Sequence, residues 1–411
     1  MPEFLKLLSP NMALINWLEK FPTAEFKNEV IPTEESYGRI LDEDIYAPHS
    51  LPEFSRSTVD GFAVVAKDTF GSSEGMPAYL KIIGEVKMGV TTDLKLTHGT
   101  AVLIHTGGML PEGADAVVML ENSQTSRQDE IEITKSVAHL ENIIQVGEDV
   151  QTGELILNRG TLLRMVEIGG LMAYGILSVK VVRKPKVGII STGDEVVPPS
   201  SFPSIGQVRD VNTYTLEALV NKRGGEAVRL GIVPDNPRIL KDKLESALTE
   251  CDAVLVTAGS SASAHDMTSQ VINEAGKPGV IVHGINIRPG KPTILAVCNG
   301  KPVIGLPGNP VSALVIAWLF VSPMLQRLQG QSKEPIKKQI SARLTINISS
   351  MAGREDYIPV KLTMENGEYQ AEPIFFKSNL IFNLVKADGL MFIPADANGL
   401  NAGDVVQVFF L

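Results

Sequence analysis

Along this chain the spacing of hydrophobic positions changes repeatedly, and each change predicts a different kind of structure. Met12–Lys20 places its apolar residues, Trp17 and Leu18 among them, on one side of a helix. Ile31-Pro32-Thr33-Glu34-Glu35 has the form of a helix start, continuing to about Leu41. From Pro48 to about Ile144 the pattern becomes short β-type runs between glycine- and proline-bearing turns: Leu80–Val86, Ala101–Thr106, Ala116–Leu120 and Ile131–Thr134. Met165–Ala173 then reads as a helix between glycines, and Ser178–Arg183 as a strand. This stretch is expected to return to the N-terminal helices, which makes the first domain discontinuous.

Pro185 opens a third pattern. Val187–Ser191 is a short apolar run of the kind buried on both faces of a sheet. Ala227–Val233, Ala253–Thr257 and Val280–Ile285 repeat it, with helices starting near Asn212, Pro237 and Asp266. Connections of that length suit crossover helices and a mainly parallel sheet. Thr293–Val297 and Pro302–Leu306 flank Asn299-Gly300, a hairpin turn signal. Asn309 and Pro310 serve as cap and first residue of a helix over Val311–Arg327. Gln329–Pro335 is a polar linker, and Ile340–Leu411 alternates as a small β-barrel or sandwich does. The predicted fold is multidomain α/β and β. Its domains are residues 12–50 with 145–183, 51–144 (β-rich), 184–330 (α/β) and 335–411 (β).

Composition narrows the function. The 411 residues call for several domains, and 44% hydrophobic with 20% charged residues describes a globular protein. A net charge of −10 argues against a general nucleic-acid binder. The N-terminal residues lack a basic segment followed by a long apolar one, and the apolar helix meets Pro323 well short of a membrane span. No membrane association and a cytoplasmic location are therefore expected. Two isolated cysteines, Cys251 and Cys298, make neither a disulfide framework nor a thiolate metal site. The six histidines show no metal-ligand spacing, no G-x-S-x-G occurs, and the glycines near Lys291 do not fit a P-loop.

The strand ends carry the candidate chemistry. In an open parallel sheet, ligands lie outside the carboxyl ends of the strands. After the first strand come Asp194 and Glu195, after the second Asp235, and after the third the run Gly259–Asp266. The fourth is followed by Arg288, Gly290 and Lys291, and the hairpin by Gly308 and Asn309. Any one aspartate alone is best read as a cap or turn residue. Four carboxylates and two cations converging on one rim suit a Mg²⁺–phosphate ligand instead. The β-rich domain adds two polar loops, Phe54–Phe62 and Thr106–Pro111.

Taken together these stretches resemble the molybdopterin molybdotransferases, MoeA and the gephyrin E domain. The resemblance rests on SRSTVDGFAV (Ser55–Val64), TGGMLPEGADAVVMLE (Thr106–Glu121), GEDV (Gly147–Val150), Lys186–Pro199, PGKPT (Pro289–Thr293) and GLPGNPVS (Gly305–Ser312). Gly353-Arg354, Ala387–Leu390 and Ala402–Asp404 also fit. It implies a three-layer, MogA-like α/β domain, a C-terminal β-barrel and a homodimer whose site joins two subunits. It implies insertion of molybdate into adenylylated molybdopterin with Mg²⁺ and release of AMP, with a MogA-like adenylyltransferase as a further partner. Matched by position, Asp60, Thr106, Glu195, Asp235 and Asp266 are catalytic, and the last three hold the metal. Thr192, Gly193, Asp194, Gly259, Ser261, Arg288, Lys291, Pro307, Gly308, Asn309 and Ser312 contact the substrate, and Asp149, Arg354 and Ser378 lie further out. The chain departs from the family at Ser263 (a glycine there), Ala264 (an acid), Arg288 (a lysine), Ile144 (an arginine) and Lys377 (a glycine). An altered paralogue that binds without turnover and a dimeric scaffold are the alternatives.

Overall fold

The computed structural model describes residues 7–21, 27–258, 262–332, 338–375 and 377–410, of which 262–265 by backbone alone. It divides into two compact units. One gathers the chain before Asp44 with Arg159–Met172 and everything from Ile176 onward; the other is Asp44–Asn158 with Ala173–Gly175.

Helix α1, Pro10–Leu18, begins two residues before the expected start. Ser9 Oγ accepts from Met12 N at 3.4 Å, and Pro10 fills a position whose N–H would be unpaired anyway. Trp17 is fully buried and donates Nε1 to Ala296 O at 2.8 Å. The helix expected to start within Ile31–Glu35 and continue to about Leu41 does not form. Asn28–Pro32 is instead a strand antiparallel to Ser178–Val182, followed by a single 3₁₀ turn, Thr33–Glu35. Distant backbone partners win here: Thr33 N donates to Leu177 O, Gly38 N to Leu163 O and Leu41 N to Thr161 O, at 2.8–2.9 Å.

The second unit is built on six strands: β1 (Gly61–Val64), β2 (Ala78–Val86), β3 (Thr100–Ile104), β4 (Ala116–Met119), β5 (Ser123–Arg127) and β6 (Glu130–Ile133). They run in the order β4-β1-β3-β2-β6-β5, with only β2 and β3 parallel. Alternate residues of the central strands enter two cores, Phe62 and Val64 one and Ala63 the other. Helix α2, Met165–Ala173, lies in the other unit except for its last residue and buries only Leu171.

The larger unit holds β7 (Lys186–Thr192), α3 (Asn212–Lys222), β8 (Glu226–Val233), α4 (Pro237–Glu250), β9 (Ala253–Thr257) and α5 (Ala262–Glu274). Next come β10 (Pro278–His283), β11 (Ile294–Cys298), β12 (Lys301–Leu306) and α6 (Pro310–Leu328). The sheet order is β8-β7-β9-β12-β11-β10, and only β11 runs against the rest. Helices α1, α3 and α6 pack on one face through Trp17, Leu216 and Phe320, and α4 and α5 on the other through Leu244 and Ile272. The three layers match the sequence expectation. Helix α6 runs on through Pro323, because Phe320, Met324 and Leu325 are buried on both sides of it and packing outweighs the lost hydrogen bond.

The C-terminal strands are β13 (Gln339–Leu344), β14 (Glu355–Glu365), β15 (Glu368–Pro373), β16 (Gly389–Ile393) and β17 (Val405–Phe409). They close in the ring β14-β15-β13-β17-β16-β14, which settles barrel against sandwich. Closure leaves no unpaired edge within the ring.

Candidate functional site

The parallel strands bring their carboxyl ends to one edge, and there β7 is tied to β9: Thr192 Oγ1 donates to Thr257 O at 3.0 Å. Gly193 follows at φ +139°. A Cβ at that position would stand 2.7 Å from Glu195 Oε2, so the glycine is what lets the Glu195 carboxylate fold back over the turn. Asp194 Oδ1 accepts the backbone N–H of Asp235 at 3.1 Å, which joins the end of β7 to the end of β8. Asp194, Glu195 and Asp235 are thus held together. Partial burial, and then the charges of Asp194 and Glu195, push the Asp235 carboxyl above the ordinary aspartate range. Among the described residues none of the three forms an ion pair with the protein.

Asp266 lies exposed on α5, the helix that follows β9. Gly259 and Ser261 fall outside the described residues. Among those described, no group of three His, Cys, Asp or Glu side chains is placed to hold a metal ion. The expected triad Glu195, Asp235 and Asp266 is therefore not assembled as a ligand set, whereas Asp194 stands with Glu195 and Asp235.

A cleft of about 420 Å³ opens beside these acids. Ser191 and Thr192 line it from β7 and Glu195 from the turn after it, Asp210 and Asn212 from the start of α3, and Asn309 from the start of α6. Asn309 precedes the helix and Pro310 is its first residue, as the sequence suggests, but the Asn309 side chain makes no cap hydrogen bond. Its Nδ2 donates to Ser378 Oγ at 3.0 Å, and Val311 N donates to Ser378 O at 3.1 Å. These bonds bring Ser378 to Pro307, Gly308 and Asn309. Ser312, one turn on, is buried.

The basic residues are organised by a carboxylate that sequence reasoning missed. Asp356, in β14, is fully buried. Arg354 grips it with Nε–Oδ1 at 2.7 Å and Nη2–Oδ2 at 3.1 Å, and Ser350 Oγ donates to Oδ2 at 3.0 Å. Arg288 Nη1 stands 3.8 Å from the same Oδ2, where Ile287–Arg288 pairs with Glu355–Asp356. Lys291 is exposed at the tip of the next turn. That turn needs Gly290, whose φ is +113° and whose Cβ would come within 2.4 Å of Ile316 on α6.

In the other unit Asp60 and Thr106 meet as expected: Asp60 Oδ1 accepts Thr106 N at 2.8 Å and Thr106 Oγ1 at 3.2 Å. The structure adds His105, whose Nε2 lies 2.9 Å from Glu85 Oε1 and whose Nδ1 lies 3.8 Å from Asp60 Oδ1. The His105 hydrogen bond holds the Glu85 carboxyl below the usual glutamate range, with Lys87 adding to it. No sequence motif marks His105; only strand pairing brings β2 and β3 together to make the contact. Asp149 lies apart from this group, in a broad cleft of about 770 Å³ shared with Phe54 and Arg56.

Residues 8–175 match the MoeA N-terminal region (domain I and II), residues 188–327 a probable molybdopterin binding domain, and residues 341–411 the MoeA C-terminal region (domain IV). A molybdopterin molybdenumtransferase of Haemophilus influenzae is 32% identical over 98% of this chain and 98% of its own. One crystal structure of a molybdopterin biosynthesis MoeA protein from Pyrococcus horikoshii superposes with a TM-score of 0.85 at 34% identity, covering 99% of this chain and 100% of its own. A second, from the same organism, gives 0.79 at 39% identity, with 98% and 99% covered.

Proposed function

We propose a function on the premise that this chain belongs to the MoeA family, the molybdopterin molybdenumtransferases, and acts as an enzyme of molybdenum cofactor biosynthesis. Its reaction, on this reading, is insertion of molybdate into adenylylated molybdopterin with release of AMP. The observation that carries it is the gathering of Asp194, Glu195 and Asp235 at the sheet edge without a protein cation. Like charges held that close favour a bound cation, and Mg²⁺ takes a few carboxylates together with phosphate oxygens. Glu195 and Asp235 would hold the ion together with phosphate oxygens of the substrate, since the described side chains do not form a complete set of three by themselves, and Asp266 on α5 is the third acid that the family match implies. When bound, the ion draws charge off the phosphate oxygens as the phosphoanhydride breaks.

The chain's own groups do the rest. Partial burial and the charges of Asp194 and Glu195 push the Asp235 carboxyl above its ordinary range, so a bound cation would offset a cost already present there. Arg288 and Arg354, anchored on Asp356, and the free-standing Lys291 offer positive charge to molybdate or to the leaving AMP. No side chain has to act as a nucleophile. The names of the relatives favour this enzyme over an altered paralogue or an interaction scaffold.

We also propose that the chain is a homodimer in the cytoplasm, fed by a MogA-like adenylyltransferase. Helix α2 supports the dimer: Met165 and Val166 are exposed, and a Cβ on Gly169 or Gly170 would meet nothing within 4 Å. Purified protein given adenylylated molybdopterin, Mg²⁺ and molybdate tests the activity directly. Asp266→Ala should lower metal-dependent AMP release by about 100-fold with an unchanged circular dichroism spectrum. Unchanged release would remove Asp266 from the mechanism, and no release by the natural sequence would remove the reaction.

A further inference from the structure

Asp210 and Asn212, at the start of α3, line the cleft of about 420 Å³ and carry buried oxygen acceptors that the chemistry proposed for the rim does not use. Asn212, only 7% exposed, donates Nδ2 to Gly308 O at 2.8 Å, yet its Oδ1 is buried with no donor. Asp210, also 7% exposed, accepts the backbone N–H of Thr213 through Oδ1 at 3.1 Å and forms no ion pair among the described residues. A buried amide oxygen left unpaired is costly, so its persistence points to a donor that arrives with a ligand. Val208 and Ile381 supply apolar lining to the same cleft, which suits a flat heteroaromatic ring.

We propose that Asp210 and Asn212 together recognise the 2-amino-4-oxo pyrimidine edge of a pterin. That edge carries an amino group next to a ring N–H, one donor for each of the two acceptors. One of the bonds is strengthened by the carboxylate charge. Adenine places its amino group beside a ring nitrogen that is itself an acceptor. Set against this pair, it would leave one oxygen facing a lone pair. The inference rests on the molybdopterin reading above and adds to it: the substrate enters with its pterin end at α3, and its adenosine end is directed elsewhere.

The test needs no mutation at first. Fluorescence titration of the full chain compares 6-hydroxymethylpterin with 6-hydroxymethyllumazine, which has a carbonyl acceptor where the pterin has its amino donor. Binding of the pterin about tenfold or more tightly is expected, because a site built for hydrogen bonds rejects an analogue that breaks them. Equal affinity, or no binding of the pterin, overturns the proposal. So does tighter binding of GMP, which carries the same edge on a purine.

Asp210→Asn keeps an oxygen for Thr213, and Asn212→Ala removes the free acceptor. Each should weaken pterin binding by about tenfold and leave AMP binding unchanged. Equal weakening for AMP, or none for the pterin, overturns it. Turnover of adenylylated molybdopterin is measured alongside. Turnover without pterin selectivity removes this inference alone, and selectivity without turnover removes the transferase reading alone.

Discussion

The acids at the ends of β7 and β8 and the arginines around Asp356 handle charge in opposite ways. At the sheet edge three carboxylates stand together without a cation, and Asp235 answers by holding its proton above the ordinary range. Around Asp356 two guanidiniums share one fully buried carboxylate, and Arg354 grips it with two hydrogen bonds. The arginines are therefore in place before any ligand arrives, whereas the acids are arranged for something still to come. One region is neutralised by the fold and the other is not.

That contrast can be broken most severely at Asp356. Asp356→Ala leaves the Arg354 guanidinium and the Ser350 hydroxyl without their partner and should cost about 3 kcal/mol in urea unfolding. Asp356→Asn, which keeps part of the hydrogen bonding, should lose less. A loss of only a few tenths for the alanine variant would show that the arginines do not depend on it.

The Asp60 group sharpens the comparison with a smaller effect. Its acids do have a partner, His105, but an exposed one. His105→Gln should lower kcat/KM about threefold, as expected for exposed hydrogen bonds acting on Asp60 at a distance. A hundredfold loss would mean that His105 itself touches the substrate.

The smallest effect is at Asp235. Its raised carboxyl binds a proton more tightly folded than unfolded. That stabilisation is complete below the ordinary aspartate range and is lost as pH rises through the raised value. Asp235→Asn should flatten this slope just above the ordinary aspartate range, by less than ~1 kcal/mol because the group is largely exposed. Above that range, added Mg²⁺ should stabilise the natural sequence more than the variant. Equal stabilisation would show that no cation binds at Asp235.

Much of this was legible in the residues. The apolar runs of β7, β8 and β9 gave the parallel sheet, and the carboxylates just after them had to lie on its edge. The closed ring of β13 to β17 was open in the sequence, since alternation alone does not say which strands meet. The failed helix after Pro32 has the same cause: Thr33, Gly38 and Leu41 bond to residues more than a hundred positions away, which local pattern does not register. Asp356 was missed because Arg354-Glu355-Asp356 reads as a solvated strand end, although strand alternation turns Asp356 inward. The Asn309 side chain followed its propensity in position but not in partner, because Ser378 competed successfully for its amide.

Trp17 and Trp318 are the two tryptophans of the chain, and both lie in the unit that carries the α/β sheet and the barrel. Trp17 is sealed against Ala296, while Trp318 sits among the rings of Tyr357 and Phe409. The β1 to β6 unit has tyrosines, Tyr46, Tyr79 and Tyr174, but no indole. Emission excited at the red edge of the absorbance band is thus blind to the smaller unit. A melt followed that way and again by far-ultraviolet dichroism would separate the two units without a label.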